Sequence, residues 1–145
     1  MNVGQICSRE VYVVRATEPL VQAAQEMQKR HVGAMVVVES RGDAVRPTAI
    51  VTDRDIVRGQ LTHGLDLHRL KVRDVMSRDL LTLPEQASVS EAIERMTARS
   101  VRRAPIVNEA GDLVGIVSFD DLLPVAVADV QALAKLVDRQ AQQGR

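Results

Sequence analysis

Aromatic side chains are nearly missing from this chain. Its 145 residues include one Tyr, one Phe and no Trp. Platforms for stacking nucleic-acid bases are therefore scarce. Neither charge sign dominates, with Lys+Arg and Asp+Glu at 19 each. That balance removes the electrostatic case for binding nucleic acid or an anionic membrane. Cys7 is the one cysteine, so no internal disulfide forms, which fits a reducing compartment. No apolar run approaches the roughly 18 residues that span a bilayer. The opening stretch MNVGQICSREVYVV lacks the basic and long apolar regions of a signal peptide. A cytoplasmic address is expected. There is no Gly-rich Walker loop and no nucleophile elbow, and the carboxylates show no catalytic pairing, so no enzyme is expected. His31, His63 and His68 stand at no metal-ligand spacing, so no metal site is expected.

What remains is an aliphatic chain, 46% hydrophobic, long enough for one compact domain or two small units sharing a core. It repeats itself. At a shift of 69 positions, Val3-Gly4-Gln5-Ile6-Cys7-Ser8-Arg9 overlays Val72-Arg73-Asp74-Val75-Met76-Ser77-Arg78. Ala23, Met27, Arg30 and Val32 overlay Ala92, Met96, Arg99 and Val101. The first copy has three extra residues around Val45-Arg46-Pro47, and the shift becomes 66. Ile50-Val51-Thr52 then overlays Ile116-Val117-Ser118, and Asp55 overlays Asp121. The pattern indicates one supersecondary plan used twice.

Each copy reads as β-α-β-β-α. Short extended runs, Val11–Val14 and Leu80–Leu83, precede helices. Leu20, Ala23, Ala24 and Met27 are spaced for one helical face, as are Val89, Ala92, Ile93 and Met96. Met35–Val38 and Ala104–Val107 read as strands, with turns at SRGD and EAGD. Strands Thr48–Val51 and Leu113–Val117 follow, and a second helix starts at Thr52 or Ser118. The boundaries expected are 1–61 and 72–127 for the units, 62–71 for a linker and 128–145 for a helical tail. A unit of about 60 residues has a marginal core. The expected class is α+β, two units packed as a pseudo-twofold pair with a C-terminal helix.

The stretches IVTDRD and IVSFDD occupy the same place in each copy. A hydroxyl residue with an acid three positions on is the capping-box pattern. It also suits a ligand. A helix N-terminus with a hydroxyl can hold a phosphate, and the acid can accept two hydrogen bonds from a ribose diol.

The duplicated unit resembles a tandem pair of cystathionine-β-synthase (CBS) domains, a Bateman module, over about residues 1–127. That resemblance implies a non-catalytic, energy-sensing regulatory module. It would bind adenosine-containing ligands of the AMP, ADP or ATP class in clefts between the units. No cofactor is required, and the nucleotide is the regulatory ligand. Thr52, Arg54 and Ser118 would face phosphate, and Asp55 and Asp121 would hold the ribose. Val13, Ala34, Met35, Thr82, Arg103 and Ala104 would wall the adenine slots. The resemblance also implies a homodimer, with Ile56, Val57, Leu122 and Leu123 in its seam. The alternative is a structural dimer with vestigial clefts that binds a partner protein. Three features depart from the family pattern. Ala49 stands where the second copy has Gly115, Val36 replaces Pro105, and Asp120 sits beside one phosphate position while Arg54 and Arg58 sit beside the other. Arg99, Arg102 and Arg103 form either a solvated turn or an anion-facing rim. Phe119 either stacks on a base or covers the core, and Cys7, aligned with Met76, is expected to pack.

Overall fold

The computed structural model describes residues 1–64 and 66–144; Leu65 of the expected linker and Arg145 of the tail lie outside that range. Two three-stranded sheets make up the molecule, in the orders β1-β2-β3 and β4-β5-β6. The first unit runs β1 (Val13–Arg15), α2 (Leu20–Arg30), β2 (Ala34–Arg41), β3 (Ala44–Thr52) and α3 (Asp53–His63), after a short α1 (Val3–Ile6). The second runs β4 (Leu83–Pro84), α5 (Val89–Arg99), β5 (Arg103–Val107), β6 (Leu113–Ser118) and α6 (Phe119–Gln143), after a short α4 (Val72–Val75). In each sheet the first pair is parallel and the second antiparallel.

The helices form for the reasons read from their spacing. Leu20, Ala23 and Met27 are buried from α2, and Val89, Ala92 and Met96 from α5. Both end in a left-handed residue that is not glycine, His31 at φ 55° and Ser100 at φ 53°. Each donates its N–H back to the last turn, the αL termination usually given to glycine.

The two short leading helices are exchanged between units. Val3, fully buried, belongs to the core of the second unit, with Leu83, Ala92 and Ile106. Leu70 and Val72 belong to the core of the first, with Leu20, Val37 and Val51. The backbone follows suit. Ser8 and Ile116 exchange hydrogen bonds at 2.9 Å, and Ser77 and Ile50 do so at 2.8 and 3.0 Å. Asn2 bridges Ser88 as Lys71 bridges Pro19. These bridges form two equivalent sets, so the pair is pseudo-twofold. Each buried leader valine stabilises the opposite unit by roughly 1.5–3 kcal/mol.

Two glycines record how close the leaders come. A Cβ on Gly115 would lie 2.6 Å from Cys7 Sγ and 2.9 Å from the Ser8 carbonyl. A Cβ on Gly59 in α3 would lie 2.0 Å from a Val75 methyl of α4.

Three local features add to or differ from the sequence reading. The extra residues of the first copy lengthen the β2–β3 hairpin, with Arg41 paired to Ala44 across Gly42 and Asp43. That longer arm lets Arg41 and Arg46 both donate to the Ala110 carbonyl of the second unit, at 2.6 and 2.7 Å. The run from Leu80 contributes only Leu83 and Pro84 to a strand. The helix after Ser118 also does not stop at Pro124. Phe119–Gln143 is one helix of 25 residues. Pro124 is the sixth residue of that helix, past the first four donors that lack partners, so it removes one ladder bond, that to the Asp120 carbonyl, and the helix continues beyond it.

Candidate functional site

Two clefts open between the units, each built from both copies. One, of about 440 Å³, is lined by Tyr12, Gly33 and Ala34 of the first unit and by Ser118, Asp120 and Asp121 of the second. The other, of about 360 Å³, is lined by Thr52, Asp53 and Arg54 of the first unit and by Leu80, Leu81 and Arg103 of the second. Both sizes fall in the range of small-molecule sites, roughly 300–1,000 Å³. They are called here the Ser118 cleft and the Thr52 cleft.

The capping boxes form in both copies. In the first, Thr52 Oγ1 accepts from the Asp55 N–H at 3.0 Å, and Asp55 Oδ2 accepts from the Thr52 N–H at 2.9 Å. In the second, Asp121 Oδ2 accepts from the Ser118 N–H at 2.8 Å and from the Ser118 hydroxyl at 3.1 Å. Capping therefore engages one oxygen of each carboxylate. The hydroxyls differ. Thr52 accepts within its box, whereas Ser118 directs its hydroxyl at Asp121.

The remaining expected site residues are placed as follows. Arg54 lines the Thr52 cleft, whereas Asp55, expected there for the ribose, is half-buried in the first turn of α3 and is not among the residues lining it. Ala34 lines the Ser118 cleft and Arg103 lines both. Val13 and Met35 lie instead in a depression between β1 and α2. Ala104 is fully buried in the second core. Thr82 is half-buried next to the lining residues Leu80 and Leu81.

Sequence reasoning missed Tyr12, His31 and Gly33 of the Ser118 cleft, and Ser100 of the Thr52 cleft. The Tyr12 hydroxyl donates to Glu10 at 3.1 Å, and the Arg30 guanidinium lies 5.2 Å from its ring centroid. A lone tyrosine at a strand entry was the available signal. His31 and Ser100 occupy equivalent positions of the repeat, and both carry the left-handed backbone that sites often retain.

The clefts differ in charge. Arg54 and Asp120 occupy equivalent positions with opposite signs. The Thr52 cleft brings Arg54, Arg102 and Arg103 together with Asp53, and its Asp79 is paired with Arg99. The Ser118 cleft brings Glu10, Asp120 and Asp121 together. Phe119 lines neither cleft. It sits in an apolar groove between α5 and α6 with Leu122 and Leu123, and Arg102 lies 5.7 Å from its ring centroid. Cys7 packs against Gly115, and burial raises its thiol pKa above the ordinary 9.0, with Arg9 opposing that shift. Among the described residues, no group of three or more His, Cys, Asp or Glu could hold a metal ion.

The sequence pattern of the CBS domain matches residues 3–61 and again 72–127. The chain belongs to the CBS domain family. It is a tandem CBS pair. An uncharacterized protein of Methanopyrus kandleri is 34% identical over 125 residues, which are 86% of this chain and 62% of that protein. Hypoxic response protein 1 of Mycobacterium tuberculosis is 34% identical over 84% of this chain and 78% of its own length. A crystal structure of Hypoxic Response Protein I with two coordinated zinc ions has a TM-score of 0.73 at 32% identity, covering 86% of this chain and 98% of that one. The CBS pair of protein MJ0100, solved with 5′-methylthioadenosine and S-adenosyl-L-methionine, has a TM-score of 0.74, covering 89% of this chain and 98% of that one. At 20% identity that likeness concerns the fold. Inosine-5′-monophosphate dehydrogenases also match, over only 22% of their length. No helix among the described residues is long and apolar enough to cross a membrane.

Proposed function

We propose that this CBS pair is a non-catalytic sensor that binds adenosine-containing ligands in its two clefts. One observation carries the reading: each cleft faces a capped helix N-terminus and an acid of one unit across to the strand entry of the other. Adenine would lie at the strand entries, beside Tyr12 and Ala34 or beside Leu80 and Arg103. The second oxygen of Asp121 or Asp55 would accept from the ribose hydroxyls. The Thr52 cleft, with Arg54 and the Thr52 proton, would take the 5′-phosphate of AMP, ADP or ATP. Asp120 would oppose a polyphosphate in the Ser118 cleft. Ligand would signal by favouring one arrangement of units or protomers over another, which requires unequal affinity for the two. The bound adenosine compounds of MJ0100 support this ligand class.

Calorimetry with adenosine, AMP, ADP and ATP tests the reading. Binding that weakens by about tenfold or more in Asp55→Ala or Asp121→Ala is expected, the loss of a charge-assisted hydrogen bond. No binding by any adenosine ligand, S-adenosylmethionine and NAD included, overturns it.

A second reading, an assembly module, rests on α6. Leu123, Val130, Leu133 and Val137 are 48–65% exposed along one face of that helix. We place a homodimer on this face together with Val57 and Leu61 of α3.

A further inference from the structure

Arg103 is the residue common to the linings of both clefts. It opens β5, half-buried, directly across the strand pair from Ser118. Among the described residues its guanidinium takes part in no ion pair or hydrogen bond. The equivalent position in the first unit, opposite Thr52, is Ala34. The pair thus has one cation at its centre where symmetry would allow two or none. On one side of it stand Thr52, Asp53 and Arg54, and on the other stand Asp120 and Asp121.

We propose that Arg103 is a shared anion ligand that couples the two clefts: a 5′-phosphate held in the Thr52 cleft weakens the binding of a second in the Ser118 cleft. The inference rests on the nucleotide reading above and adds regulation to it. A phosphate beside Thr52 draws the guanidinium to its own side. The Ser118 cleft is then left with Glu10, Asp120 and Asp121 and without that cation, so a second phosphate meets net repulsion. Adenosine, lacking phosphate, does not recruit Arg103 and leaves the clefts independent. Coupling of this kind is reciprocal, and factors of about 5–150 are usual.

The test follows AMP binding to the full chain by methyl NMR. Ile50 and Leu80 report on the Thr52 cleft, and Val36 and Ile116 on the Ser118 cleft. Arg54→Trp, at an exposed position, plugs the Thr52 cleft without adding negative charge; Leu80→Trp is a second plug from the other wall. Plugging is expected to tighten AMP in the Ser118 cleft by about tenfold while Arg103 is present. The gain should vanish in Arg103→Gln and persist in Arg103→Lys. With adenosine, plugging should change nothing. An equal gain with and without Arg103 would show direct repulsion between phosphates and overturn the role given to Arg103. No gain in either background overturns the coupling while the nucleotide reading stands. If neither AMP nor adenosine shifts a reporter in either cleft of the unmodified protein, both fall together.

Discussion

Asp55 and Asp121 each close a capping box with one oxygen. In the proposed function the second oxygen of each takes the ribose, and of the two acids Asp121 lines its cleft. Alanine at either position should therefore cost stability as well as affinity, about 0.5–2 kcal/mol for the lost cap. Denaturant melts of Asp55→Ala and Asp55→Asn check this, and a melt unchanged in both would refute it. His31 and Ser100 offer the opposite expectation. Glycine at either left-handed position removes backbone strain and should raise stability by about 1 kcal/mol. Thermal melts of His31→Gly and Ser100→Gly decide it. Cys7 supplies a pH signature. Burial raises its folded pKa above 9.0, so the folded state favours the neutral thiol. The stability this supplies is complete below about pH 9 and is lost as pH climbs through the raised folded value. Alkaline melts should fall less steeply in Cys7→Ala than in the unmodified protein. Equal slopes would count against the burial account. These residues also mark how far the sequence could be read. The hydroxyl-x-x-acid spacing exposed both caps, because a cap is a local matter of one helical turn. Val13 and Met35, chosen by position along a strand, lie off the clefts. Which side of a strand entry meets a cleft depends on the neighbouring unit, and a one-residue change of side turns Val13 into Tyr12.

At the scale of elements, helix α6 is the least settled by contacts within the chain. Its first turns are anchored by buried Leu122. Beyond Ala126 its apolar side chains stay exposed, Val130 at 65% and Leu133 at 63%. Each half-exposed Val or Leu offers on the order of 50–100 Å² to a partner. The four residues Leu123, Val130, Leu133 and Val137 thus offer on the order of 200–400 Å², part of the roughly 800 Å² per partner of a standard interface. In the homodimer proposed above, Leu133→Asp combined with Val137→Asp should shift the sedimentation of the protein from dimer toward monomer. An unchanged sedimentation coefficient would move the seam elsewhere. The face carries the helical i, i+3, i+7 spacing of Val130, Leu133 and Val137, whereas Ile56 and Leu122, expected in a dimer seam, are buried within the chain. The helix's continuity through Pro124 was not legible in the sequence, because a proline near a helix start and a proline ending one look alike in one dimension. Hairpin β2–β3 shows the same limit. The three extra residues were visible as an offset in the repeat, but their use, carrying Arg46 to the Ala110 carbonyl, depends on the other unit.

For the whole molecule, the exchanged leaders matter most. Repeat spacing revealed two units and their plan, since periodic burial within a copy is written in that copy. It did not reveal that Val3 completes the second core and Val72 the first, because both leaders align equally well whichever core receives them. Neither unit is complete alone. A fragment of residues 66–145 should melt at a markedly lower temperature than the full chain. A synthetic peptide of residues 1–12 should raise that melting temperature in a concentration-dependent way. A fragment that melts like the full chain without the peptide would refute the dependence.

The exchange also sets an order of events during synthesis. The leader Asn2–Ser8 is translated well before the strand that receives it, since Ser8 pairs with Ile116. At about 5–20 residues per second, it waits on the order of seconds for its binding edge to exist. Throughout that interval Val3 and Ile6 are exposed on the nascent chain. The first unit waits far less, because the last members of its core, Leu70 and Val72, follow closely on α3. The leader's own burial therefore belongs to the end of translation, and a ribosome stalled late in the second copy would display a first core already closed and a second one, with Val3 still outside it, unfinished to the chaperones around it.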